Sequence, residues 1–144
     1  MDRSSPAVKL IEYWQSRGIP FCRPVNDAEF VLFKERRRFL DLPTDLQEYF
    51  QLTNGTGVYP PSDDDSIDFW PLWMFAQFIL TEDLYVFADY LAGIFWFAID
   101  LSRRSESYGK IYRIRGPGFD NALVASSFAD FVAKYIENRD QLFE

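Results

Sequence analysis

The chain reads as an α+β domain, a largely antiparallel sheet with helices packed on it. Near both ends, apolar residues recur at three- and four-residue steps, the period of a helix with one buried face. Between them lie runs of aromatic and β-branched residues joined by short glycine-containing connections, the pattern of hairpin-linked strands. Apolar residues make up 48% and aromatics 19% of the chain, with 15 Phe, 8 Tyr and 4 Trp, so a ring-rich core is expected and disorder is excluded. At 144 residues, a single domain over 1–144 is long enough to bury about two-thirds of its unfolded surface.

The first helix starts at Ser4 or Ser5 ahead of Pro6, carries Val8, Leu10, Ile11 and Trp14, and stops at Gly18. Pro20 and Pro24 make Ile19 to Val25 an extended connector. Asn26 caps a second helix running to Phe39, with Glu29 completing a capping box and Phe30, Leu32 and Phe33 facing inward. Its basic end, Lys34, Arg36, Arg37 and Arg38, suits the helix dipole and reads as a solvated terminus. A third helix lies between Leu42-Pro43 and Asn54-Gly55. Pro43 is tolerated in a first turn, and Thr44 with Gln47 has capping-box spacing. Leu42, Leu46, Tyr49, Phe50 and Leu52 form its apolar stripe, and Asn54-Gly55 supplies positive φ to end it.

Val58-Tyr59 reads as the first strand, stopped by Pro60-Pro61, with a polar loop at 62–66. The apolar pattern resumes at Ile67, Phe69, Trp70 and Leu72, a ring-rich run that also fits a buried strand. Tyr85 to Ala88 and Ile94 to Leu101 are core strands joined across Asp89 to Gly93. Phe95 to Ile99 is apolar on both alternations, so both its faces must be covered, by helices or by a partner. Tyr108 to Ile114 is a further strand, ended by Arg115-Gly116-Pro117-Gly118. Ser127, with Asp130 three residues on, caps a final helix whose stripe is Phe128, Phe131, Val132, Tyr135 and Ile136.

The net charge is -7, unevenly placed. Between Arg38 and Arg103 lie eleven of the 22 acids and none of the 15 bases, leaving the two ends together at +4. An all-acid middle predicts a negative face that repels phosphates and attracts cationic partners. There is no histidine, which removes the usual general base, the Ser-His and Cys-His pairs and the commonest metal ligand. Asp63, Asp64, Asp65 and Asp68 lack the spacing of a calcium loop, and Gly116-Pro117-Gly118 lacks the Lys-Ser/Thr of a phosphate cradle. Cys22 stands alone beside Arg23 without a base, so it reads as inert. No catalytic, cofactor or metal site is expected. The N-terminus shows no signal pattern, and no apolar run approaches the roughly 20 residues that span a bilayer, so a soluble cytoplasmic protein is expected.

Leu-Pro, a polar-acidic helix and Asn-Gly (42–55), preceded by Asp27 to Phe39 and followed by Phe87-Ala88-Asp89-Tyr90, Trp96 to Leu101 and Ala125 to Phe131, resemble in kind and order the SMI1/KNR4 (SUKH) family. Trp70-Pro71-Leu72 is similar to the segment that leads into a small helix there, here Leu72 to Ile79. The resemblance implies the same α+β architecture, with about five to six strands. For function it implies a bacterial immunity protein that occludes the basic active-site surface of a cognate toxin, nucleases among them. The alternative it implies is a regulatory or scaffold adaptor, for example in cell-wall control. The candidate partner-binding residues are Asp63, Asp64, Asp65, Asp68, Glu82, Asp83 and Asp89, with Trp70 and Tyr90 as aromatic anchors. The expected partner is a basic toxin domain rather than nucleic acid or membrane, and the expected state is a monomer or weak homodimer.

Overall fold

A computed structural model describes residues 5–37, 41–56, 67–75, 84–90, 94–103, 105–115 and 121–143. Five antiparallel strands form one sheet in chain order: β1 (Ile67–Phe69), β2 (Leu84–Tyr90), β3 (Phe95–Asp100), β4 (Ile111–Ile114) and β5 (Ala122–Ala125). The helices are α1 (Pro6–Arg17), α2 (Asp27–Arg36), α3 (Thr44–Leu52), α4 (Leu72–Phe75) and α5 (Phe128–Glu137), followed by a 3₁₀ turn at Arg139–Leu142. The α+β expectation and the antiparallel sheet are both found.

Helices α1, α3 and α5 pack on one another, and their buried residues join one face of the sheet in a single core. Rings dominate it. Phe69 lies 5.2 Å from Trp14 and 5.1 Å from Tyr135, both edge-on, and Phe131 meets Phe87 and Phe97 edge-on at 5.1 Å each. Edge-to-face pairing sets the positive rim of one ring against the negative face of the next, so these contacts add to burial alone. The other face carries a second cluster, Trp70, Met74, Val86, Ala98 and Ile114, with Leu84, Trp96 and Tyr112 against it. Phe97 and Ile99 thus belong to one cluster and Ala98 to the other, as the two-sided apolar pattern of β3 requires.

Local capping chemistry explains the helix ends. The Ser5 hydroxyl accepts from the Val8 amide, and Gly18 closes α1 with φ 67. Asn26 and Glu29 form the reciprocal box. Ser127 accepts from the Asp130 amide at the start of α5.

Several expectations are corrected. In α3, Pro43 occupies the cap position with extended backbone and no side-chain bond, so Thr44 already lies inside the helix and no capping box forms. Gln47 instead donates to the Leu42 carbonyl at 2.7 Å. Leu32 does not face inward: it is 47% exposed, and Phe33 is the buried residue of α2. Regular pairing of β4 begins at Ile111 rather than Tyr108, because Gly109, at φ 85, still belongs to the turn that brings its amide to the Asp100 carbonyl. Strand β5 and the 3₁₀ turn were not expected from the sequence. Val58-Tyr59, the loop at 62–66 and the continuation of α4 to Ile79 lie outside the described residues.

Candidate functional site

The turn Thr53–Thr56 sets the frame. The Cys22 amide donates to the Gly55 carbonyl at 2.8 Å, and the Thr53 hydroxyl donates to the Cys22 carbonyl at 2.8 Å, tying the α1–α2 connector to the end of α3. On the other side, the Thr56 amide donates to the Phe69 carbonyl at 3.0 Å and its hydroxyl accepts from the Phe69 amide at 2.9 Å, which satisfies the outer edge of β1. Asn54 Oδ1 accepts from the Leu72 amide at 2.7 Å, at the first residue of α4. Gly55 has φ 86, and a Cβ there would stand 2.3 Å from the Phe69 carbonyl oxygen, so only glycine lets the two backbones approach this closely.

Strand β1, placed in this way, brings three candidate residues together. Asp68 stands directly opposite Asp89 across the β1–β2 ladder, which puts both side chains on the sheet face turned away from α1, α3 and α5. Trp70, two residues along, shares that face and donates its indole N–H to Asp89 Oδ1 at 3.1 Å. Asp68 and Trp70 are 4% and 5% exposed, Asp89 half-buried. Burial raises the Asp89 carboxyl above its ordinary range, and the Trp70 bond opposes the shift only in part. Tyr90, the next residue on β2, points to the opposite face, where it stacks on Phe95 at 5.6 Å and meets the tilted ring of Phe143 at 4.7 Å.

A family model, the SMI1 / KNR4 family (SUKH-1), matches residues 24–134. The chain belongs to the SMI1/KNR4 (SUKH-1) family. Among curated proteins, none matches it. The match runs from the α1–α2 connector into α5, so the Thr53–Thr56 turn and the Asp68–Asp89 pair both lie inside it.

In this SUKH-1 domain the expected anchors therefore divide. As surface contacts, Asp68 and Trp70 are corrected: position 68 points into a paired sheet face, and Trp70 belongs to the second cluster. Asp89 and Tyr90 are half-buried, whereas Asp63, Asp64, Asp65, Glu82 and Asp83 lie outside the described residues. Other central acids are engaged internally. Asp45 Oδ2 accepts from the Ala129 amide at 3.0 Å, Asp100 accepts from the Ser102 amide and the Ser107 hydroxyl, and Asp41 pairs with Arg103. Among the described residues, no group of three or more His, Cys, Asp or Glu is placed to hold a metal ion, and no helix is long and apolar enough to cross a membrane.

Sequence reasoning missed a different exposed group. Val31, Leu32 and Trp73 are 55%, 47% and 55% exposed, and α2 packs against α4. The signal was present: four consecutive apolar residues, Phe30 to Phe33, sweep about 300° around a helix, more than one core-facing stripe can cover.

Proposed function

We propose that this chain works by binding a protein partner, as an immunity protein that neutralises a cognate toxin. The observation that carries the proposal is the SMI1/KNR4 family match over residues 24–134, and this family is generally non-catalytic. The absence of histidine supports binding over turnover. Inhibition is steric and electrostatic. The acids at 63–65, 82 and 83, with Asp89, meet the basic surface around the toxin's active site, and the domain bars substrate from it. Complementary charge speeds the encounter, while buried rings set the lifetime of the complex.

Co-expression tests the proposal. The chain should protect a cell from the product of the adjacent gene, and substituting Asp63, Asp64 and Asp65 together by Asn should weaken that protection. An adjacent gene whose product is harmless, or a toxin against which the chain gives no protection, counts against the immunity role and in favour of an adaptor.

A further inference from the structure

The sheet face turned away from α1, α3 and α5 is left partly open, and the register of the strands fixes what stands on it. Asp68, Asp89, Trp96 and Ile114 form one row across β1 to β4. Ala98, Tyr112 and Leu123 form the next row, across β3 to β5. Ala98 and Ile114 are buried, Trp96 and Tyr112 are half-buried, and Leu123, on the last strand, is 55% exposed. Trp96 and Tyr112 are diagonal neighbours on adjacent strands, within the roughly 7–8 Å over which aromatic side chains meet. Two half-exposed rings and a leucine are therefore continuous on one surface.

Beside this apolar ledge the charge is negative and uncompensated. Asp89 stands directly opposite Trp96, is half-buried, and enters no ion pair among the described residues. Its polar partners there are the Trp70 indole and its own backbone amide, both neutral. The cations of β4 are placed elsewhere. Arg113 and Arg115 flank Ile114 but alternate to the other face, where both guanidinium groups lie over Phe95, at 5.5 and 5.1 Å. Lys110 precedes β4 beside Asp100, about 13 Å along the strand from Ile114. A half-buried carboxylate beside half-exposed rings complements a guanidinium, whose planar fork pairs with carboxylate oxygens and also stacks on aromatic faces. A compact, strongly hydrated ammonium does this less well.

We propose that this open sheet face is where the protein partner docks, and that the partner presents an arginine that stacks on Trp96 and pairs with Asp89 while its apolar neighbours cover Tyr112 and Leu123. The inference rests on the proposed function in one respect, that the partner offers a basic protein surface. It adds the face that meets that surface, the rings that anchor it and the cation they receive. Nucleic acid is disfavoured, because its phosphates would meet Asp89.

The test uses the full chain, labelled with ¹⁵N, and two synthetic peptides. One alternates Arg with Leu, and in the other the neutral isostere citrulline replaces each Arg. The Arg peptide should saturably shift the Trp96 indole signal and the amides of Asp89, Tyr112 and Leu123, and should bind at least fivefold more tightly than the citrulline peptide. Asp89→Asn, which keeps an acceptor for Trp70, should cut that preference to twofold or less, and Leu123→Ser, at an exposed position, should weaken the Arg peptide at least threefold. The proposal is overturned if neither peptide shifts these signals, if both bind alike, if the shifts fall elsewhere, or if Asp89→Asn leaves the preference intact. It is equally overturned if the same signals move with protein concentration alone, which would assign the face to a second copy of the chain. In co-expression, Asp89→Asn combined with Leu123→Ser should lose the protection that the native chain gives. Full protection by the double variant overturns the docking face and leaves the immunity role standing. No protection by the native chain overturns the immunity role alone, because the peptide titration reads the face without a toxin.

Discussion

The indole N–H of Trp70 donates to Asp89 Oδ1 at 3.1 Å, inside a sheet face where Asp68 stands directly across from Asp89. The bond supplies one polar partner to a carboxylate that burial would rather keep protonated.

A pH dependence with an unusual sign follows for an acidic residue. Because the folded state holds the Asp89 proton more tightly than the unfolded chain, this group adds stability below the ordinary aspartate range, and that contribution is lost as pH rises through its raised folded value. Asp89→Asn keeps an acceptor for Trp70 and removes the charge. In urea unfolding, the stability of the variant relative to the native chain should be more favourable at pH 7 than at pH 3.5. Asp130 runs the other way. Burial would raise it, but the Ser126 amide and Lys134 outweigh burial and hold it low, so its contribution is present above the ordinary aspartate range and lost as pH falls. Asp130→Asn should therefore cost more at pH 7 than at pH 3.5.

Gly55 and Gly18 both have positive φ, yet only Gly55 is crowded. Gly18→Ala should cost about 1 kcal/mol, the expense of the left-handed conformation alone. Gly55→Ala adds a collision with the Phe69 carbonyl and should cost at least about 2–3 kcal/mol, seen as a lower denaturation midpoint.

Asn54→Ala should cost about 1 kcal/mol, since it leaves the Leu72 amide without its acceptor, and Asn54→Asp should not fully restore the loss, because it sets a carboxylate against Glu29, to which the Asn54 amide donates. Hydrogen exchange at Leu72 should report the change directly.

Asp45 joins two helices, accepting the Ala129 amide in the first turn of α5 while it sits in the first turn of α3. Asp45→Ala should cost about 1 kcal/mol and should speed exchange at Ala129 ahead of the rest of α5.

The features that could be read from the sequence are those whose physics is local. Ser5, Asn26 and Ser127 cap helices through amides three residues away, so their spacing alone identifies them. Gly55 was legible as a residue of positive φ just beyond α3, although Thr53, with extended backbone, closes the helix; the bonds of Asn54 and Gly55 to Leu72 and Cys22, and of Thr56 to Phe69, were not legible, because they join segments far apart in the chain. Strand β5, four residues long, carries too short a pattern to stand out, and it exists through pairing with β4. The site was less legible than the fold. Asp68 looked like one more residue of an acidic loop, yet pairing opposite Asp89 takes it inside, and the burial of Trp70 depends on Met74 of α4 and on Val86 and Ile114 across the sheet. Conversely, the outward turn of Leu32 and Trp73 follows from which side of α2 and α4 the core occupies.

The central claim is that this SMI1/KNR4 domain acts by forming a stable complex with a protein. Titration calorimetry of the purified chain against the product of the adjacent gene, inactivated to permit its purification, tests this most directly. A saturable one-to-one complex, with an association rate that falls as ionic strength rises, is the predicted result. No heat and no co-elution at micromolar concentration, or a complex formed at a rate indifferent to salt, would contradict the account.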